Sequence, residues 1–445
     1  MTTDDIALRL GAAGFGPADA ESRAKLAADA AAALRSATGQ PPRWGWFAPG
    51  RIEVFGKHTD YAGGRSLVAA VPRGFALVGA PRDDGRVRVI DARWHDAIEI
   101  DAADRTTEYR GWANYIAVVV RRFAYNFPGA ALGADLAIAS DLPRAAGVSS
   151  SSALVVAVAT ALTRRAGLDR RDDFRAAIAT PLDLAGYLGA VENGLTFKTL
   201  ASVDGVGTHG GSEDHTAILT CRADRLSAYS YVPVRHVGDV VMPSGWCFVV
   251  ASSGVHADKA GSARDRYNRA SLLTRALVDI WNAASAMPAP TLAAVCAAPG
   301  AEGELRQMVT RQRRSEYSAD DLLRRLSHFV AEDGRIPDAV AAFRDADAGR
   351  LGTMSDGSQR DADELLGNQI PETRTLAALA RANGAVAASS FGAGFGGSVW
   401  AIVPKADAPG FSNAWVAAYR TACPEATNVE WFVTRPSPAV TEIIS

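Results

Sequence analysis

Cysteine is scarce in this chain. Four occur in 445 residues (Cys221, Cys247, Cys296 and Cys423), far apart and with no CxxC pair, which excludes a disulfide framework and a thiolate zinc site. Long apolar runs are missing as well. The longest, about Ala153 to Leu162, falls far short of the roughly 20 residues that cross a bilayer. Neither sign of charge dominates: Lys and Arg number 47 against 49 Asp and Glu, a formal charge of −2. No basic field exists to hold nucleic acid. The opening MTTDDIALRL begins acidic, without the basic segment of a secretory signal. No repeat with a period of roughly 20–50 residues is present, so a solenoid or propeller is excluded. These absences point to a cytoplasmic protein with neither nucleic acid nor membrane as partner.

What is there is ordinary globular composition, 48% hydrophobic and 22% charged. At roughly 150 residues per domain the length predicts two or three domains. Residues 19–38 are Ala-rich and end at Gly39 and Pro41-Pro42, which predicts a helix. Alternating or short apolar runs at 52–54, 67–71, 77–80, 86–91, 135–139, 246–253 and 399–403 predict strands. Helices are expected at 112–126, at 149–166 with a serine cap, and at 262–285, 318–332, 335–346 and 372–383. The texture turns helical near residue 237, in the Pro233–Pro243 region. The expected class is therefore α+β in two lobes, 1–237 (with a helical extension over 1–40) and 238–445.

Three punctuations stand out. The first, Gly50-Arg51-Ile52-Glu53-Val54-Phe55-Gly56-Lys57-His58-Thr59-Asp60-Tyr61, takes a strand into a turn dense in Arg, Lys, His, Asp and Tyr. A rigid strand can aim such groups at a ligand. It is not a P-loop, since five residues separate Gly50 from Gly56 and His58 stands where Ser or Thr must hold magnesium. The second, Pro143-Arg144-Ala145-Ala146-Gly147-Val148-Ser149-Ser150-Ser151-Ser152, opens an apolar helix. Helix starts offer unpaired N–H groups and partial positive charge, which suit phosphate. One serine is enough for a cap, so four in a row favour phosphate binding. The third, Ser389-Ser390-Phe391-Gly392-Ala393-Gly394-Phe395-Gly396-Gly397-Ser398, contains GxGxxG. A dinucleotide site needs a strand before and a helix after. Here the expected order is helix, then strand, so a glycine-rich turn against a phosphate or sugar site is the better reading.

Together the strings resemble the galactokinases within the GHMP small-molecule kinases. Those carry GRxNLIGEHTDYNGG, PxGAGLSSSA and GAGFGG, in this order and at similar spacing. Trp112-Ala113-Asn114-Tyr115 is similar to the family's WANY, and Ser253-Gly254-Val255-His256 to its NSGVRH. The likeness covers roughly residues 42–405. It implies a two-lobed α+β fold with the active site between the lobes, and ATP-dependent phosphorylation of a small sugar with Mg²⁺. By this resemblance Gly147, Ser149, Ser150, Ser151 and Trp112 would hold ATP, and Ser150 and Glu192 would hold Mg²⁺. Asp214 would be the general base, with Asp204 as runner-up and Glu213 also able to serve, and Arg51 would stand beside it. His58, Asp60, Gly211 and Tyr267 would contact the sugar.

One departure bears on the substrate. Galactokinases have Glu before the loop histidine, where it binds the sugar's C6 hydroxyl; this chain has Lys57. Facing the sugar, Lys57 would suit a C6 carboxylate such as galacturonate, through a charge-assisted bond. Otherwise it would swing out or pair with Glu53, which itself replaces a family Asn. The expected activity is phosphorylation of the C1 hydroxyl of galactose or a galactose-like sugar. The alternatives are a C6-altered sugar or a non-catalytic sugar- and ATP-binding regulator. The expected state is a monomer or weak homo-oligomer.

Overall fold

The computed structural model describes residues 2–94, 96–143, 147–255, 263–311 and 316–445. Arg144, Ala145, Ala146 and His256, which figured in the motifs, lie outside them. Two helices come first, α1 (Thr3–Ala13) and α2 (Pro17–Thr38). Then follow the strands β1 (Trp44–Phe55), β2 (Arg65–Pro81), β3 (Arg86–Asp91) and β4 (Ala97–Asp101). Next are α3 (Trp112–Asn126), β5 (Ala134–Ser140), α4 (Ser150–Ala166), α5 (Asp172–Ala177), α6 (Pro181–Asn193) and α7 (Glu213–Thr220). The strands β6 (Arg225–Ser230), β7 (Arg235–Val241) and β8 (Trp246–Ser252) lead to α8 (Arg264–Ala284), α9 (Leu292–Cys296) and α10 (Ala301–Arg311). The chain closes with α11 (Ala319–Arg344), α12 (Ala348–Asp361), α13 (Pro371–Ala382), β9 (Ala387–Ser390), β10 (Ser398–Pro404), α14 (Ala408–Ala422), β11 (Trp431–Thr434) and β12 (Thr441–Ile444).

The first sheet runs β12-β1-β2-β5-β3-β4, with β6 also on β2 and β7 on β6. Its one parallel pair among the described strands is β3 with β5. β1 is buried along all twelve residues because both faces are covered. Alanines of α2 (Ala20, Ala24, Ala27, Ala30) and Leu34 pack with Phe47, Ala76, Val78 and Ala137 on one side. On the other, Val155, Val156, Val158 and Leu162 of α4 join Ile52, Val54 and Leu77 in the main core. A second, antiparallel sheet, β11-β8-β10-β9, packs on α13 and α14 through Leu376, Trp415 and Tyr419. A helical cluster of α8 to α11 is built on Leu277, Trp281, Leu305, Leu326 and Phe329.

The fold is the expected mixed α+β, with differences in detail. A division at 237 falls inside β7, which belongs to the first sheet; the chain leaves that sheet after Val241 and returns to it as β12. The two helices expected at 318–332 and 335–346 are one, α11, running through Pro337. Proline frees the carbonyl four residues back, that of Asp333, and Arg65 Nη2 donates to it at 3.1 Å. Ser149 does not cap α4. It sits in the left-handed region (φ 60°), and its side chain makes no capping bond.

Candidate active site

β1 delivers Arg51 and Glu53 and then turns. Gly56 (φ +105°) is obligatory there, because a Cβ would stand 2.5 Å from the Cα and Cβ of Ser66. Thr59 Oγ1 donates to the carbonyls of Gly56 (2.8 Å) and Arg65 (2.7 Å), closing the loop. A short 3₁₀ turn, Asp60–Ala62, then presents Asp60. Its carboxylate accepts the N–H of Tyr61 at 2.9 Å and, across the cleft, the N–H of Glu213 at 3.1 Å. The loop is clamped from α11, where the buried Arg325 donates to the His58 carbonyl and to Tyr61 Oη.

At the cleft floor, Arg51 Nη2 stands 2.6 Å from Asp214 Oδ1, and Nη1 donates to the Gly147 carbonyl at 2.6 Å. Burial disfavours its charge, but Asp214, Glu213 and Glu53 outweigh that and raise its pKa further. Ser152, in the first turn of α4, reaches Asp214 Oδ2 (3.3 Å) and Glu192 Oε2 (3.4 Å). Glu192 comes from the last turn of α6, with His215 Nε2 at 3.2 Å. The glycine-rich segment is a hairpin turn between β9 and β10, which accounts for the absence of a helix after it. It seals the site: Gly392 N–H donates to Glu53 Oε2 at 2.8 Å, and a Cβ on Gly392 would meet the Gly147 carbonyl at 2.9 Å. Glu53 is 3% exposed, and burial pushes its carboxyl up to about 7 against the pull of Arg51 and Lys57.

Arg51, His58, Asp60, Glu192, Gly211, Asp214 and Tyr267 thus line one cleft, with Glu213 beside Asp214. Gly147 adjoins it through Arg51. Ser149, Ser150 and Ser151 stand at the head of α4, but the hydroxyl that meets Glu192 belongs to Ser152. Ser150 and Ser151 are half-buried and outside this lining. Trp112 starts α3 partly buried against the main core and is outside this lining. Asp204 is exposed and also outside it.

Lys57 is the main correction. It is not part of the cleft lining and makes no ion pair with Glu53 among the described contacts. Past Gly56 its side chain turns into the protein, 1% exposed, where Nζ donates to Ser358 Oγ at 2.5 Å and stands 3.9 Å from Glu332 Oε1. Glu332 also accepts the backbone N–H groups of Gly56 and Lys57. Sequence reasoning missed this partner, 275 residues away, and missed Ser152 and His215 in the lining. Counting back from Ala153 instead of forward from Gly147 would have found Ser152.

Three family models match: the galactokinase galactose-binding signature over residues 32–81, the GHMP kinase N-terminal domain over 114–189, and the GHMP kinase C-terminal domain over 339–421. A galactokinase of Actinobacillus pleuropneumoniae serotype 3 (strain JL03) is 28% identical over 369 residues, 80% of this chain and 84% of that protein. The Lactococcus lactis galactokinase complexed with galactose superposes with a TM-score of 0.73 at 21% identity, covering 92% of this chain and 98% of that one. The L. major mevalonate kinase in complex with R-mevalonate gives 0.54 at 16%, covering 88% and 96%. With the three signatures in order along one chain and the fold to match, the protein is a galactokinase-like member of the GHMP small-molecule kinase family, a phosphotransferase that takes ATP as co-substrate.

Proposed function

We propose that the chain transfers the γ-phosphoryl group of ATP to the anomeric C1 hydroxyl of galactose or a galactose-like monosaccharide. The observation that carries this reading is the buried Arg51–Asp214 pair, at 2.6 Å, in a cleft shared with Asp60, His58 and Tyr267. Asp214 is the general base, and the permanent charge of Arg51 stabilises the oxygen that becomes anionic as it attacks. Asp60 accepts two ring hydroxyls, with Gly211 and Tyr267 shaping the wall around the sugar. On the ATP side, the first turn of α4 carries no side-chain cap, and Ser149 Oγ is buried without a hydrogen-bond partner among the described residues. Uncapped N–H groups and an orphaned hydroxyl fit a phosphate. The hard oxygen donors of Glu192 and Ser152 fit Mg²⁺, which when bound neutralises charge on the phosphates. The two sheets serve as the two lobes.

The C6-carboxylate reading has lost its support with Lys57 committed to Glu332 and Ser358. A coupled ADP-release assay with galactose and other hexoses tests the proposal and separates it from a non-catalytic regulator. Asp214→Asn should lower kcat by roughly 10²- to 10⁴-fold with little change in sugar KM, whereas Asp204→Asn should match wild type. Wild-type turnover by Asp214→Asn would remove Asp214 as the base.

A further inference from the structure

We propose that His58 serves the sugar indirectly: its ring is the latch between the loop that follows β1 and the glycine-rich turn, and Tyr61 and Arg325 are the positioning residues that set its tautomer. The inference rests on the sugar-kinase reading above and deepens it. It comes from where the two ring nitrogens go.

Nδ1 lies 3.0 Å from Tyr61 Oη, and Nε2 lies 3.3 Å from the Ala393 carbonyl, in the turn between β9 and β10. A carbonyl only accepts, so Nε2 carries a proton. Arg325 fixes the other end. It is 1% exposed, and a guanidinium only donates. Its Nη2 donates to Tyr61 Oη at 3.2 Å and to the His58 carbonyl. Its Nε and Nη1 are engaged elsewhere, on the Ala270 carbonyl and on His328 Nδ1, each at 3.0 Å. With Arg325 donating into it, the Tyr61 hydroxyl has its own proton to give, and His58 Nδ1 is the acceptor beside it. Burial pushes the pKa of that hydroxyl up to about 12, so it keeps the proton at neutral pH. The donations then run one way, from Arg325 to Tyr61, to His58, to Ala393, and each bond in such a chain strengthens the next. The ring is neutral, with its proton on Nε2. His58 also sits in the left-handed region (φ 56°), a conformation that persists where the surroundings over-determine it.

Both nitrogens are thus engaged within the protein. Toward a sugar the ring offers its carbon edge, next to Tyr267 with ring centres 5.4 Å apart. The same ring joins the loop that presents Asp60 to the turn that carries Gly392, and Gly392 abuts the Gly147 carbonyl. The sugar side and the phosphate side therefore both depend on the docked turn, and His58 holds it.

The tautomer is read directly from a long-range proton–nitrogen correlation spectrum of the histidine-labelled protein, with His58 assigned by its loss in His58→Gln. Nε2 should bear the proton, and the signal of the bare Nδ1 should move in Tyr61→Phe, which removes the donor. A proton on Nδ1, or an Nδ1 signal indifferent to Tyr61→Phe, overturns the proposal. ADP release with galactose and each of its monodeoxy analogues supplies the second arm. His58→Phe, a ring without a donor, should raise the sugar KM and the ATP KM by a common factor of roughly 3 to 10, the scale of one neutral hydrogen bond. His58→Gln, whose amide still reaches toward Ala393, should lose less. Each deoxy sugar should carry the same penalty in His58→Phe as in wild type, since the ring gives no hydrogen bond to a hydroxyl. A deoxy sugar whose penalty vanishes in the variant would reveal a direct bond from His58 and overturn the latch. If no sugar releases ADP with wild type, the kinase reading fails, and the spectrum, which needs no turnover, still decides the tautomer.

Discussion

A methyl group on Gly211 would stand 2.0 Å from Asp60 Oδ2. No relaxation short of moving the carboxylate accommodates that, so Gly211→Ala should raise the sugar KM at least about tenfold while leaving the ATP KM near wild type. Equal shifts in both constants would mean that the damage is global and that Gly211 does not serve the sugar side. Glu53 offers a second measurement at this scale. Its folded carboxyl, at about 7, lies above its ordinary 4.5. A raised acid contributes stability that is complete below 4.5 and is lost as pH rises through 7. The Tm of Glu53→Gln minus that of wild type should therefore increase between about pH 5 and 8; a flat difference would place the titration elsewhere. Residue types in the loop were legible in the sequence because strand, glycine turn and aspartate are adjacent in the chain. The fate of Lys57 was not, since its partners Glu332 and Ser358 lie about 300 residues on, and a one-dimensional reading sees only the family position it occupies.

Among the elements, legibility followed self-sufficiency. α3 was readable to its ends because its apolar stripe and boundaries are local. α12 was not: with three glycines and two serines in fourteen residues, it is held by packing, burying Leu351, Gly352, Ser355 and Ser358. The first six residues of β1, rich in Trp, Gly and Pro, look like a loop until β2 and β12 pair with them. α4 shows how an element can be legible in extent and misread in its cap. A serine at a helix start ordinarily donates nothing to function and satisfies an N–H; Ser149, at φ 60°, leaves that job undone. Ser149→Gly relieves the left-handed strain, so its Tm should be no lower than wild type. The ATP KM should rise, because the orphaned hydroxyl is lost. A lower Tm with unchanged ATP KM would make Ser149 a structural residue.

At the scale of the whole molecule, the question is how two sheets and a helical cluster are kept in register around one cleft. β12 ties the C-terminal end back to β1, the glycine turn of the second sheet locks onto Glu53 and Gly147, and α11 grips the loop that follows β1 through Arg325 and Glu332. None of these joints is visible in sequence, because each joins residues hundreds of positions apart. The Glu332 joint is the one to break. Its carboxylate is fully buried, and it accepts from Gly56, Ser358 and Arg335 Nη1, the last at 2.7 Å. Burial would raise its pKa, but Lys57 and Arg335 hold it down to about 2 from 4.5. A depressed acid contributes stability that is present above 4.5 and is lost as pH falls toward 2. The two values differ by an amount worth about 3 kcal/mol, the scale reported for breaking one side of a buried pair. Glu332→Gln should thus be less stable than wild type by about that much at pH 7, and the gap should close as the pH drops from 4.5 toward 2, because only the wild type has a carboxylate to protonate. The same variant, by loosening the grip on Gly56 and Lys57, should raise the sugar KM more than the ATP KM. A stability gap that persists unchanged into acid would show that the carboxylate's charge does not hold the joint and that shape alone does.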